Sequence, residues 1–430
     1  MSSASSKELR KKVMYQIFVR NFSKEGTFKA VEKELDRIKD LGVDIVWFAP
    51  IHPIGEKCRK GSLGSPYAIS DYRKINPEYG TIDDFKSVVD AIHDLGMKCI
   101  IDVVYNHTSP DSVLAKEHPE WFYHKPDGSF GNRVGDWTDI IDLDYSNKDL
   151  WDYQIETLKM WAEIVDGFRC DVAPLVPVDF WLKARTEVEV VRPGCIWLSE
   201  SIDPGFILQM RDLGIIAQSD CEMYRAFDIL YDYDIYGYLT EYAAGCGSLD
   251  DYSEAINRQE YIYPDNYVKL RFLENHDQPR ARFLFPKERA LRNATAFLYF
   301  QKGMTLIYAG QEMGVAHLPS LFEKDTVDFK AKDNLDLSDL MKRLYEIKQD
   351  ELFADSTYRT KTYEDNVLKA IHSRGKRKII GIFSFKGEAG IIPINAPDGV
   401  YENLIDGSSI EVMHGYISLS GEPVIFEVSR

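Results

Sequence analysis

No apolar run in this chain of 430 residues approaches the length of a membrane span. Basic residues are in deficit. Lys and Arg number 52 against 69 Asp and Glu, giving a formal net charge of −17. An acidic surface repels phosphate backbones and anionic lipid, so nucleic acid and membranes are excluded as partners, whereas a neutral polymer is indifferent to that field. Cysteine is sparse: Cys58, Cys99, Cys170, Cys195, Cys221 and Cys246, with no pair in CxxC spacing. Cys99 and Cys170 fall inside apolar runs and read as small buried hydrophobes. The segment 1–12 is polar and basic and lacks the apolar stretch of a secretory leader. Free thiols and this start predict a reducing, cytoplasmic setting. There is no internal repeat at solenoid spacing and no low-complexity segment.

Aromatic residues, by contrast, are abundant, with 25 Tyr, 22 Phe and 7 Trp. Most must serve the core. Tyr and Trp also suit sites that need a flat apolar face with a polar edge, as a sugar ring does.

From 13 to about 349, short β-rich runs alternate with longer amphipathic stretches. Strands are predicted at 13–19, 43–49, 97–104, 167–172, 195–199, 226–231, 268–273 and 304–309, and helices at 28–41, 83–95, 148–165 and 178–191. Near-continuous apolar strands between helices indicate a parallel sheet with both faces covered. Eight such units predict an α/β fold, a closed (β/α)8 TIM barrel. A doubly wound open sheet is the alternative, but no Gly-rich phosphate loop follows the first strand. The alternation fails over 106–147, a stretch rich in Asp, Pro, Gly and aromatics, which reads as a small excursion domain after strand three. The barrel then comprises 1–105 and 148–350. Residues 351–430 carry short strand-like runs at 367–371, 378–385, 389–394, 416–419 and 423–428, and predict an all-β C-terminal sandwich.

In such a barrel, polar residues at the C-terminal strand ends line the active site. Here Asp102, Asn106 and His107 follow strand three (DVVYNH), Arg169 and Asp171 close strand four (GFRCDV), Glu200 closes strand five (WLSE), and His276 and Asp277 follow strand seven (FLENHD). Asp232 and Asp234 follow strand six. One strand-end Asp taken alone is usually a helix cap or a loop acceptor. Carboxylates at three strand ends converging on one mouth repel one another and point to function. His107 and His276 with a nearby Asp also permit a zinc reading, although no third His lies close.

These segments resemble glycoside hydrolase family 13, the α-amylase family. DVVYNH, GFRCDVA, WLSE and FLENHD are similar to its four signature regions, in order, and GVDIVWFAPI and SPYAISDY are similar to further family segments. The resemblance implies a retaining hydrolase of α-1,4 and, in some members, α-1,6 glucosidic bonds in maltodextrins, with an α-glucan oligosaccharide as its partner and no required cofactor. It implies Asp171 as nucleophile, Glu200 as general acid/base and Asp277 as stabiliser of the distorted sugar. Arg169 would hold Asp171 ionised, His107 and His276 would bind sugar hydroxyls, Tyr67 would stack under the ring, and Asp102 would support the site through Arg169. The strand positions agree: Arg169 and Asp171 share a face, and Glu200 follows the apolar run 196–198, a setting that raises a carboxyl pKa.

The chain departs from the family where many members carry Lys-His after the nucleophile. Here the run is DVAPLVP, with Pro174 and Leu175 in those places, and Val172 resembles members that accept α-1,6 bonds. IIDLDYS is similar to a fifth region, and Asn106 and Asp144 fall where many members bind calcium; Asn106 as a cap of the excursion loop is the other reading. Transfer to a sugar or phosphate acceptor through the same site, and a non-catalytic carbohydrate-binding barrel, are the competing functions. Retention of all three carboxylates speaks against the last.

Overall fold

The computed structural model describes residues 5–135 and 137–429. Eight parallel strands close on themselves: β1 (Val13–Ile17), β2 (Ile45–Phe48), β3 (Lys98–Val103), β4 (Gly167–Cys170), β5 (Ile196–Ser199), β6 (Ile229–Tyr231), β7 (Lys269–Arg271) and β8 (Met304–Tyr308). β8 returns to pair with β1, Val13 opposite Thr305, so the sheet has no free edge and the open doubly wound alternative is overturned. The sequence dictates this through strands apolar on both faces. Met14, Trp47, Ile100, Leu198, Leu270 and Leu306 fill the barrel interior, while Tyr15, Val46, Cys99, Ile101 and Phe168 belong to the layer under the helices.

The surrounding helices start where the local chemistry supports them. Thr81 and Asp84 form a capping box for the helix Ile82–Asp94, and Asn147 caps Lys148–Ala162. The helix expected at 28–41 is two pieces, Phe28–Glu32 and Leu35–Asp40. Between β3 and Lys148 the chain forms a two-residue ladder, His107–Thr108 against Ile141–Asp142, with a short helix Val113–Glu117.

Beyond the barrel lie two four-stranded antiparallel sheets. One orders β9 (Thr357–Tyr363), β10 (Val367–Arg374), β11 (Arg377–Ser384) and β16 (Val424–Ser429). The other orders β12 (Gly390–Pro393), β15 (Tyr416–Leu419), β14 (Ser409–Met413) and β13 (Gly399–Glu402). Ile380, Ile382, Ile392, Val412, Ile417 and Phe426 share one apolar core. The first sheet is tied to the barrel by Phe383, whose ring centroid lies 5.3 Å from Phe297 and 5.4 Å from Phe300 on the helix Glu288–Phe300. Strands β9, β13 and β14 were not expected. β9 reads as polar because its buried Thr360 is satisfied by hydrogen bonds with Ser253 and Asn257, not by apolar contacts.

Candidate active site

The barrel register builds the site. Asp102 on β3 stands opposite Arg169 on β4, and Cys170 stands opposite Ser199 on β5. One residue further, the Glu200 N–H donates to the Cys170 carbonyl at 3.0 Å, and the Asp171 N–H to the Val103 carbonyl at 2.9 Å. Side chains alternate along a strand, so Asp102, Arg169, Asp171 and Glu200 all point into the mouth.

Arg169, fully buried, is the hub. Its Nη1 donates to Asp102 Oδ1 and Asp171 Oδ1, each at 2.8 Å, and its Nη2 lies 2.8 Å from Glu200 Oε1. Trp47, Tyr231 and Tyr67 surround the guanidinium, with ring centroids 5.3, 5.5 and 5.6 Å away. Burial pushes Asp171 up to about 7, against the pull of Arg169. It pushes Glu200 up to about 8 and Asp102 to about 7. Burial thus holds both carboxyls above their ordinary range. Arg169 pulls Asp171 down, as expected, but burial pushes the other way. One guanidinium is divided among three carboxylates, and burial outweighs its share.

A second chain of hydrogen bonds fixes the histidine after β7. The Gln16 amide Nε2 lies 2.7 Å from His276 Nδ1. With the amide donating there, the ring proton sits on Nε2, which faces Tyr67 Oη at 2.5 Å and Asp277 Oδ2 at 3.1 Å. Tyr67 donates onward to Asp102 Oδ2 at 3.0 Å, and its ring stacks on His276 at an interplanar angle of 14°. His107 Nε2 lies 3.9 Å from Asp171 Oδ2. Burial lowers both His107 and His276 to about 4, so both rings are neutral near pH 7 and serve as hydrogen-bond partners. The Asp277 backbone N–H is held by Asn275 Oδ1 at 2.8 Å, while its carboxylate is 41% exposed to the mouth.

Of the residues singled out in the sequence, Tyr67, Asp102, His107, Arg169, Asp171, Glu200, His276 and Asp277 converge here. Asp232 and Asp234 do not. Asp232 pairs with Arg271 and Asp234 with Lys269, each at 2.8 Å, in a polar cluster beside the barrel. The zinc reading fails, because among the described residues no three His, Cys, Asp or Glu side chains group to hold a metal. Asn106 and Asp144, the pair expected to bind calcium, line one pocket beside the mouth together with Asp142. Asp144 Oδ1 accepts the Ser146 N–H at 3.0 Å within a turn, and Asn106 directs its amide nitrogen at His107 Nδ1, 3.2 Å away. A buried carboxylate nearby is Asp142, which accepts the Arg133 backbone N–H at 2.7 Å and has the Arg133 guanidinium 3.6 Å away. Sequence reasoning missed Gln16 and Tyr231. A lone polar residue inside VMYQI was the signal for Gln16; Tyr231 sits in a wholly buried strand end and gave none.

Comparison with known proteins agrees with this geometry. The family model described as alpha amylase, catalytic domain, matches residues 16–352, and that of the bacterial alpha amylase C-terminal domain matches 359–426. The crystal structure of an α-amylase from Lactobacillus plantarum is 46% identical, covers 98% of this chain and 100% of its own, and superposes with a TM-score of 0.95. A maltogenic α-amylase from Thermotoga neapolitana is 33% identical with a TM-score of 0.87, covering 98% and 100%. Among curated relatives, α-amylase MalA of Haloarcula japonica is 29% identical over 70% of this chain and 44% of its own length. An α-1,4-glucan:maltose-1-phosphate maltosyltransferase of Mycobacterium tuberculosis is 35% identical over 42% of this chain and 28% of its own. The chain thus spans less than half the length of these curated relatives. With three quarters of its residues matched by the catalytic-domain model and its strand-end carboxylates gathered on one arginine, the chain belongs to the α-amylase family, glycoside hydrolase family 13.

Proposed function

We propose that the protein hydrolyses α-glucosidic bonds in maltodextrins with retention of configuration, acting in the cytoplasm on starch-derived oligosaccharides. The observation that carries this reading is the sharing of one guanidinium by Asp171 and Glu200, each 2.8 Å from a terminal nitrogen of Arg169. The shared fork favours the close spacing of a retaining pair, about 5–5.5 Å between carboxyl groups. Asp171 attacks C1 of the sugar, the glycosidic C–O bond breaks, and the Glu200 proton passes to the leaving oxygen. Glu200, now ionised, then takes a proton from water, which attacks C1 and releases Asp171. Asp277, exposed in the mouth beside His276, stabilises the positive charge that develops on the ring. His107, His276 and Tyr67 bind the sugar at the point of cleavage, and Asp102 steadies Arg169. Barrel residues 1–105 and 148–350, an excursion over 106–147 and a sandwich over 351–430 are the division we adopt.

The test is Asp171→Asn. Turnover of a chromogenic maltooligoside should fall by at least about three orders of magnitude, with an unchanged circular dichroism spectrum. Near-normal turnover sinks the assignment. The partial match to maltosyltransferases supports a second reading, in which the glycosyl-enzyme passes its sugar to another sugar or to phosphate. Product chromatography from maltoheptaose, with and without phosphate, separates the two, and hydrolysis products alone remove transfer.

A further inference from the structure

Val172 directly follows Asp171 and has φ 35° and ψ 41°. Left-handed backbone crowds Cβ against the next carbonyl, and a β-branched residue is poorly suited to it. The surroundings hold it there. The Leu175 N–H donates to the Val172 carbonyl at 2.9 Å and closes the turn Ala173–Leu175. The Val172 side chain belongs to an apolar cluster with Ile202, Ile207, Met210 and Ala217.

The effect of this turn lies in the N–H it redirects. Asp171 and Glu200 still donate along the barrel ladder, and Val172 is where the chain leaves it. Its N–H donates to Glu200 Oε2 at 2.7 Å, while Arg169 Nη2 lies 2.8 Å from Oε1. The need for a turn after β4 explains why the chain bends. It does not explain a branched residue where glycine would adopt the conformation without strain. A wedged side chain removes the freedom that glycine would keep.

Resting on the reading of Glu200 as acid/base, we propose that Val172 is a positioning residue: its N–H, aimed by the left-handed turn and kept there by the buried side chain, fixes the Glu200 carboxyl in the rotamer that delivers a proton to the leaving oxygen.

Replacing residue 172 by the α-hydroxy analogue of valine deletes the N–H and keeps the side chain. The expected result is a loss in kcat/KM on maltotetraose, whose sugar leaving group needs a proton, at least about tenfold greater than on maltosyl fluoride, whose leaving group needs none. Equal losses on both substrates, or no loss, overturn the proposal. A second measurement uses the unaltered chain labelled with 15N-valine. The Val172 amide proton resonance should move with pH and lose that response in Glu200→Gln; a response indifferent to the substitution overturns the proposal. Glu200→Gln also tests the premise by itself. A normal maltotetraose-to-fluoride ratio in that variant removes the acid/base role and not merely the part played by Val172.

Discussion

Arg169 Nη1 lies 2.8 Å from Asp171 Oδ1, and both side chains are at least nine-tenths buried. The same guanidinium serves Asp102 and Glu200, so its removal would leave three buried carboxyl groups without a counter-charge. Arg169→Met should cost about 3–5 kcal/mol, the usual penalty for breaking a buried pair. The loss should be smaller at pH 5, where the carboxyls can take up protons, than at pH 8. Denaturant melts at the two pH values check this. Equal losses would mean that Arg169 acts by packing alone.

Glu200 sits at about 8 in the folded protein, above its ordinary value of 4.5. A raised carboxyl favours the folded state fully below 4.5, and that contribution fades as pH rises through 8. Glu200→Gln has no such dependence. The melting temperature of the variant relative to the parent should therefore climb between pH 5 and pH 8.5, and a flat difference would contradict the burial argument.

Activity should follow the same groups. If Asp171 acts ionised and Glu200 protonated, the first should set the acid limb of kcat/KM and the second the alkaline limb, both within about 7 to 8. The profile should be a narrow bell. In Glu200→Gln, measured on maltosyl fluoride, the alkaline limb should vanish while the acid limb stays. An unmoved alkaline limb would assign it elsewhere.

Gln16 orients His276 from the first strand, through a contact of 2.7 Å. Gln16→Leu keeps the volume and deletes the donor, leaving the ring free to choose its tautomer. A fall in kcat/KM of about tenfold or more, with KM nearly constant, is expected from the loss of a positioned hydrogen bond. A change in KM alone would make Gln16 a binding residue only.

Calcium should be dispensable, since the Arg133 guanidinium, 3.6 Å from Asp142, already supplies positive charge there. Melting curves in EDTA and in millimolar calcium should coincide. A higher melting point with calcium would reveal a donor set beyond the side chains named above.

The barrel was legible because its strands are apolar on both faces, and the converging carboxylates were legible because each closes such a run. Strand β6 was blurred by buried Ala226 and Phe227, which precede it without joining the ladder. Asp232 and Asp234 resembled site residues because a strand-end acid looks the same whether it faces the mouth or, as here, a buried Lys or Arg. The sequence shows Arg169 beside Asp171 but neither the depth of burial nor the two other carboxylates drawing on the same cation. The left-handed backbone at Val172 left no trace in residue type, since that conformation ordinarily announces itself as glycine.

The pairing of β8 with β1 has a bearing on how this protein can be lost. In a closed sheet each strand is clamped on two sides, and the carboxylates at the mouth come from β3, β4, β5 and the segment after β7. A slip of one residue at the β4–β5 seam would turn Asp171 or Glu200 outward. Turnover then reads out ring closure itself: during refolding it should return in a single step with the last strand, and no partly closed species should possess a fraction of it.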